Sequence, residues 1–214
     1  MGLDAANLGL LTAVYFLVLA GAQIPIGVLL DRFGPRRVQS VLLVVAAGGA
    51  ALFAASTGLL ELLIARAMIG IGVAAALMAG LKAIVTWFPR ERVALINGYM
   101  IMLGALGAVT ATAPAEWLMG YSGWRGLFEL SAAATLAAAL LIFLAVPDKA
   151  QLVLPQRTSL KLGAIYRDPR FWRIAPLSAS CIGSAWSLQG LWAAPWLADV
   201  EGFNREALIA QLFL

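Results

Sequence analysis

The chain has no histidine, and its one cysteine is Cys181. The first absence excludes a histidine-based catalytic triad. A lone cysteine permits no intramolecular disulfide, and the two shortages together leave no usual ligand set for zinc or haem. Charge is scarce as well. Asp, Glu, Lys and Arg make up 12% of the 214 residues, against about a quarter in a soluble domain. Apolar residues fill the difference, at 62%. A soluble domain of this length leaves about a third of its unfolded-chain surface exposed, so this much apolar side chain has no interior to occupy. A soluble globular enzyme is excluded. So is disorder, which needs low hydrophobicity and high charge. The net charge of +4 is not gathered into one patch. Short basic clusters alternate with apolar runs, the pattern of membrane topology rather than of nucleic-acid binding. The expected partner is a lipid bilayer, with no nucleic acid, no cofactor and no metal.

A bilayer core takes roughly 20 apolar residues of helix. Six such runs are present, at Leu8–Leu30, Val38–Ala55, Leu60–Trp87, Val93–Met119, Gly126–Val146 and Ile174–Leu197, and a seventh begins at Ala207–Leu214. They predict an all-α, polytopic transmembrane helical bundle, because barrel strands would be about ten residues long and alternating. Basic residues fall in every second connection: Arg32, Arg36 and Arg37, then Arg90 and Arg92, then Lys149, Arg157, Lys161, Arg167, Arg170 and Arg173. The intervening stretches hold only Arg125 and Arg205, while Arg66 and Lys82 lie inside a run. The positive-inside rule puts the larger set in the cytoplasm and Met1 outside the cell membrane. The Met1–Asn7 start carries Asp4 and no basic residue, unlike a secretory leader. An outside start without a leader leads us to expect a preceding helix. Pro147 to Arg173 is the one long connection, and its Pro-Asp start, mixed charge and Tyr166-Arg167-Asp168-Pro169 segment read as a cytoplasmic linker between two halves.

The first basic connection reads Gly27-Val28-Leu29-Leu30-Asp31-Arg32-Phe33-Gly34-Pro35-Arg36-Arg37. It resembles the signature loop between the second and third helices of the major facilitator superfamily, G-x-L-x-D-R-x-G-R-R, with Pro35 standing where a small or basic residue is usual. Arg66-Ala-Met-Ile-Gly70 resembles the R-x-x-x-G element of the family's fourth helix. Trp87-Phe88-Pro89 follows at that helix's cytoplasmic end, and Gly123-Trp124-Arg125 with Phe128 resembles the start of the sixth. The resemblance covers nearly the whole chain and implies helices two to seven of twelve, with the start of the eighth. It implies an N-terminal half-bundle at 1–147 lacking the first helix, a central loop at 148–173 and the start of the second half at 174–214. Such folds pair two six-helix halves around a substrate site near the midplane. The implied activity is secondary transport of a small solute by alternating access.

Within that resemblance Gly27, Asp31, Arg32, Gly34, Arg36 and Arg37 form a cytoplasmic gate. Asp31, Arg32 and Arg36 pair across the halves in the outward-open state and part when the inside opens, with Glu91 a partner for Arg36. The plainer alternative is that Arg32, Arg36 and Arg37 only fix topology and hold lipid headgroups. Gly27 and Gly34 allow close backbone approach and a tight turn. Gly98 and Gly107 have the spacing of the family's antiporter signature, but its Gly-Pro is replaced by Ala111-Thr112 and the proline is Pro114, so antiport is not inferred.

Ionisable residues inside spans cost about 3 kcal/mol or more at the centre and are functional candidates by default. Arg66 lies seven residues past Leu59, about 10 Å along the axis, and Lys82 five before Trp87. Sixteen residues apart, they point about 160° away from each other on a straight helix. Each is a substrate or coupling candidate, with snorkelling or a structural ion pair as the alternative. A fixed cation on the path favours an anionic substrate. Ala65, Gly72, Ala76, Ala79 and Ala83 form a small-residue seam for another helix. Glu61 and Glu116 read as interfacial. Glu129 is deeper, a partner for Arg66 or Arg125 and the best of a weak set of proton carriers. Gln23 near Pro25, Asn97 and Gln189 complete the substrate candidates, Gln189 as a hydrogen-bonder. Tyr99 and the tryptophans Trp186 and Trp192 are explained as well by interface anchoring or packing.

Two other function classes compete. An intramembrane enzyme would need a nucleophile with a base, or a metal cluster, and the composition offers neither. A transport-inactive fragment, sensor or scaffold is the stronger rival, and substrate-dependent flux separates it from a transporter.

Overall fold

The computed structural model describes residues 4–147, 167–188 and 192–202, and two units, 1–150 and 151–214, divide the chain. In the first unit, Asp4 opens helix α1 (Ala5–Phe33) by accepting a 2.8 Å hydrogen bond from the Asn7 amide. Such a cap satisfies an N–H that has no partner within the helix. Gly34 closes it. Its φ of 79° belongs to the left-handed region that only glycine enters at little cost, and its amide still reaches the Leu30 carbonyl at 3.1 Å. Pro35 then starts α2 (Pro35–Ala55), where its fixed φ suits the first helical turn. One glycine therefore turns the chain back at the Asp31–Arg37 end of the bundle.

The third apolar run forms two helices, α3 (Leu59–Val73) and α4 (Ala76–Trp87), joined by one tight turn at Ala74 and Ala75. Pro89 leads into α5 (Arg90–Thr110). α6 (Ala113–Ala145) bends at Gly123, whose φ of 66° and ψ of −179° are not helical. The fourth run was expected to continue to Met119, but its helix stops at Thr110. The hydroxyls of Thr110 and Thr112 turn back onto the carbonyls of Gly107 and Val109, at 2.8 and 2.7 Å, and Pro114 begins the next helix. The fifth run, Gly126–Val146, begins past the Gly123 bend, and α6 carries it to Ala145.

Among the described residues, five stretches are long and apolar enough to cross a membrane, namely Ala5–Phe33, Pro35–Ala55, Leu59–Trp87, Arg90–Thr110 and Pro114–Ala145. The described residues contain no strand. α2 is the centre of the unit, packed on α3 along one side and on α6 along the other, while α1 lies against α3. One apolar cluster, at the Asp31 end, joins Ile26 and Leu30 to Val38, Leu42, Ala74, Ala75 and Ala79. A second, at the Ser56 end, joins Leu11, Phe53, Leu62 and Ala65, with Trp124 and Phe128 against it. The small-residue seam is present in part. Ala65, Gly72 and Ala79 are buried, but Ala76 is exposed because the turn at Ala74–Ala75 resets the register of α4 relative to α3. No described side chain of α5 is buried.

In the second unit, Asp168 caps α7 (Pro169–Ser187) through the Arg170 amide at 2.8 Å, and α8 (Ala193–Asp199) follows. The described parts of the sixth apolar run are α7 and α8, and residues 189–191 lie outside the described set. α7 opens five residues ahead of Ile174 and includes Arg170, Arg173 and four serines, too polar to count among the membrane-crossing stretches. The seventh run, Ala207–Leu214, also lies outside the described residues.

Candidate functional site

At the Ser56 end of the first unit, α1, α2, α3 and α6 surround a cavity of about 360 Å³. Helical spacing supplies its walls one turn at a time. Leu8, Leu11 and Thr12 come from α1, Phe53 from α2, Leu62 and Arg66 from α3, and Trp124, Arg125 and Phe128 from α6. Among the described residues the lining holds two guanidinium groups and no carboxylate.

Arg66 is held by ring faces. Its guanidinium carbon lies 4.7 Å from the Phe53 ring centroid and 5.6 Å from that of Phe128, and the two rings are 4.1 Å apart. Its Nε is buried and has no hydrogen-bond partner among the described residues. A cation over an aromatic face gains about 2 kcal/mol when desolvated. Removing an ion from water costs several kcal/mol, so the rings alone do not compensate the burial. Arg125 donates from Nη2 to the Ser56 carbonyl at 3.1 Å and lies 4.2 Å over the Trp124 ring. Glu129, expected as a partner for one of these arginines, pairs with neither. It sits exposed on α6, one position past Phe128, and the Phe128 ring takes the place beside Arg66.

The opposite end gathers the motif residues. Lys82 Nζ donates to Asp31 Oδ1 at 2.6 Å and to the Leu30 carbonyl at 2.7 Å. Lys82 therefore joins α4 to the last turn of α1, well apart from the cavity lining. Arg36 donates from Nε and Nη2 to the Phe143 carbonyl, at 2.9 and 2.6 Å, with its guanidinium 4.9 Å over the Phe143 ring. Glu91 does not serve Arg36. It lies exposed in the first turn of α5, and one acceptor Arg36 does reach is a carbonyl in the last turn of α6. These contacts join helices of one unit. Arg32 lies 5.1 Å over the Phe33 ring, Arg37 is exposed in the first turn of α2, and a side chain at Gly27 would meet open space.

Gln23 is half-buried on α1, two residues before Pro25. Asn97 is half-buried on α5, with a buried Oδ1 that has no partner among the described residues. Neither lines the cavity. Gln189 lies outside the described residues. No three side chains of the His, Cys, Asp or Glu type come together among the described residues. Sequence reasoning singled out Arg66 but passed over Thr12, Phe53 and the cavity position of Arg125. The signal present in the sequence was the Trp124-Arg125-x-x-Phe128 spacing, which places an aromatic turn beside a cation at a helix start.

A family model described as Major Facilitator Superfamily matches residues 1–214. The chain is 29% identical over 179 residues to a hexuronate transporter of Escherichia coli, which covers 75% of the chain and 41% of that protein. It is 25% identical over 225 residues to a probable sulfoacetate transporter of Cupriavidus necator, covering 97% of the chain and 52% of that protein. A nitrate/nitrite transporter of Picosynechococcus is 36% identical over 97 residues, 45% of the chain and 18% of its own length. The chain thus spans about half or less of the length of these relatives. The chain belongs to the Major Facilitator Superfamily and is a multi-pass integral membrane protein.

Proposed function

We propose that the protein works as a secondary transporter of a small organic anion by alternating access in the cell membrane, with the Asp31 end facing the cytoplasm. The observation that carries this reading is Arg66, a guanidinium about 10 Å inside a membrane-crossing helix, in an apolar cavity with no acid among its described lining residues. A fixed charge held without a counter-charge in such a place is supplied for a ligand of opposite sign. The relatives' names agree in sign, since hexuronate, sulfoacetate and nitrate are all anions. Asp31 and Lys82 at the other end belong to the cytoplasmic gate in this reading, their ion pair setting how α1 and α4 meet there.

Uptake of radiolabelled galacturonate into proteoliposomes, with and without an imposed pH gradient, tests the proposal. A hydrogen bond to a charged group contributes about 1.5–3 kcal/mol, so Arg66→Ala raises KM roughly 10- to 100-fold. Unchanged KM and rate in that variant would remove Arg66 from the site. Absence of anion-dependent flux in the parent protein would refute transport.

A further inference from the structure

We infer that Arg125 is the second arm of the same cavity, and that the ligand it holds there with Arg66 is a hydroxy-carboxylate of sugar-acid size. The inference rests on the anion reading of Arg66 and adds a residue, a place and a ligand shape to it.

A guanidinium has five N–H donors in a fixed fork. Arg125 uses one group on the Ser56 carbonyl and sits over the Trp124 ring, which holds it in place and leaves donors over. It has no carboxylate partner among the described residues. Two like charges in the lining of one cavity repel, and an anion between them offsets both that repulsion and the desolvation of Arg66. A planar fork matches a planar carboxylate better than a point charge does.

The remaining walls select for more than charge. A volume of about 360 Å³ lies at the lower end of the range for small organic ligands, about 300–1,000 Å³, and is generous for a bare inorganic ion. Trp124, Phe53 and Phe128 give the lining apolar ring surface for the C–H groups of a sugar ring. Thr12 donates its hydroxyl proton to the Leu8 carbonyl at 3.0 Å, so its oxygen has lone pairs left to accept from a ligand hydroxyl. Donors for a carboxylate, an acceptor for a hydroxyl and apolar faces for a ring describe a polyhydroxy acid.

The test is binding, read apart from transport. The full chain in nanodiscs is heated with increasing galacturonate, with its neutral methyl ester and with nitrate. Galacturonate should raise the unfolding temperature, whereas the ester and nitrate should not do so at equal concentration. Arg125→Gln should weaken the galacturonate Kd about tenfold or more. A merely structural Arg125 would lower the ligand-free unfolding temperature but leave the Kd unchanged, and that result overturns the inference. Protection by nitrate as strong as by galacturonate overturns the ligand assignment. If Arg125→Gln fails to fold, Arg125→Lys is titrated instead. It keeps the charge but loses the fork, so a weaker Kd supports the assignment and an unchanged one sinks it. Binding that survives both Arg125→Gln and Arg66→Ala places the ligand elsewhere and leaves the transporter reading standing. A parent protein that does not bind galacturonate refutes the ligand assignment, whereas the transporter reading falls only if no organic anion is moved.

Discussion

Replacing Gly72 with alanine adds one carbon at the point where α3 lies against α2. A Cβ there falls 2.5 Å from both the Cβ and the backbone nitrogen of Ala46, and 2.6 Å from the carbonyl oxygen of Leu42. Favourable carbon–carbon contact needs about 3.5–4.0 Å, so the helices must move apart by roughly 1 Å. The obstructing atoms are backbone and a Cβ, with no flexible side-chain end to swing away. The same seam is tight on its other side, where a Cβ at Gly49 would lie 2.9 Å from the Ala65 carbonyl oxygen. Overpacking of this kind costs about 1–3 kcal/mol. For a protein of this size each kcal/mol lowers the unfolding midpoint by about 2–4 °C. Gly98, on α5, is the internal control, because a Cβ there meets nothing within 4 Å. Removing a glycine from a helix interior gains about 0.5–1 kcal/mol, so Gly98→Ala should raise the midpoint slightly. Both are read by heating the detergent-solubilised protein and following the monodisperse fraction on a sizing column. A Gly72→Ala midpoint equal to that of the parent would show that the α2–α3 seam is not tight.

Asp31→Asn removes the charge that Lys82 reaches at 2.6 Å, but the pair is partly open, with side-chain exposures of 59% and 32%. Such a pair contributes about 0–1 kcal/mol, so insertion and midpoint stay near the parent values while uptake slows. Equal flux at equal expression would remove Asp31 from the gate, and the double exchange Asp31→Lys with Lys82→Asp should recover part of the rate. Arg36→Ala strips the Phe143 carbonyl of two donors and should cost about 1 kcal/mol, seen as a lower midpoint that Arg36→Lys partly restores. An unchanged midpoint in Arg36→Ala would mean that the last turn of α6 does not depend on it.

The membrane-crossing helices were legible because continuous apolar runs of this length permit little else. Their interruptions were only partly so. Thr110, Thr112 and Pro114 advertised a break that the apolar count ran through. Ala74 and Ala75 gave no sign at all, since alanine is the best helix former. That turn comes from tertiary packing, with both alanines buried against Ile26, Leu30, Val38 and Leu42. The site divides in the same way. Arg66 stood out as a cation in an apolar run, and Asp31 as part of a motif. Their partners did not, because Arg66 meets ring faces and Arg36 and Arg125 meet backbone carbonyls, which every residue carries alike. Lys82 and Asp31 were each singled out, yet a helical wheel drawn for one straight helix gives no reason to join residues 51 apart in sequence.

The connection Ser56–Gly58 has one further consequence. All three of its amides are already engaged, Ser56 with the Phe53 carbonyl and Thr57 and Gly58 with the Glu61 carboxylate. The Ser56 carbonyl holds Arg125, and the Gly58 carbonyl accepts from Leu62. A loop is ordinarily the first part of a protein to exchange its hydrogens with solvent. This one has no amide to spare, and it should exchange on the timescale of the helices it joins. The Ser56 carbonyl that holds Arg125 is then a fixed anchor rather than part of a flap, and the guanidinium's place in the cavity lining is set before a ligand arrives.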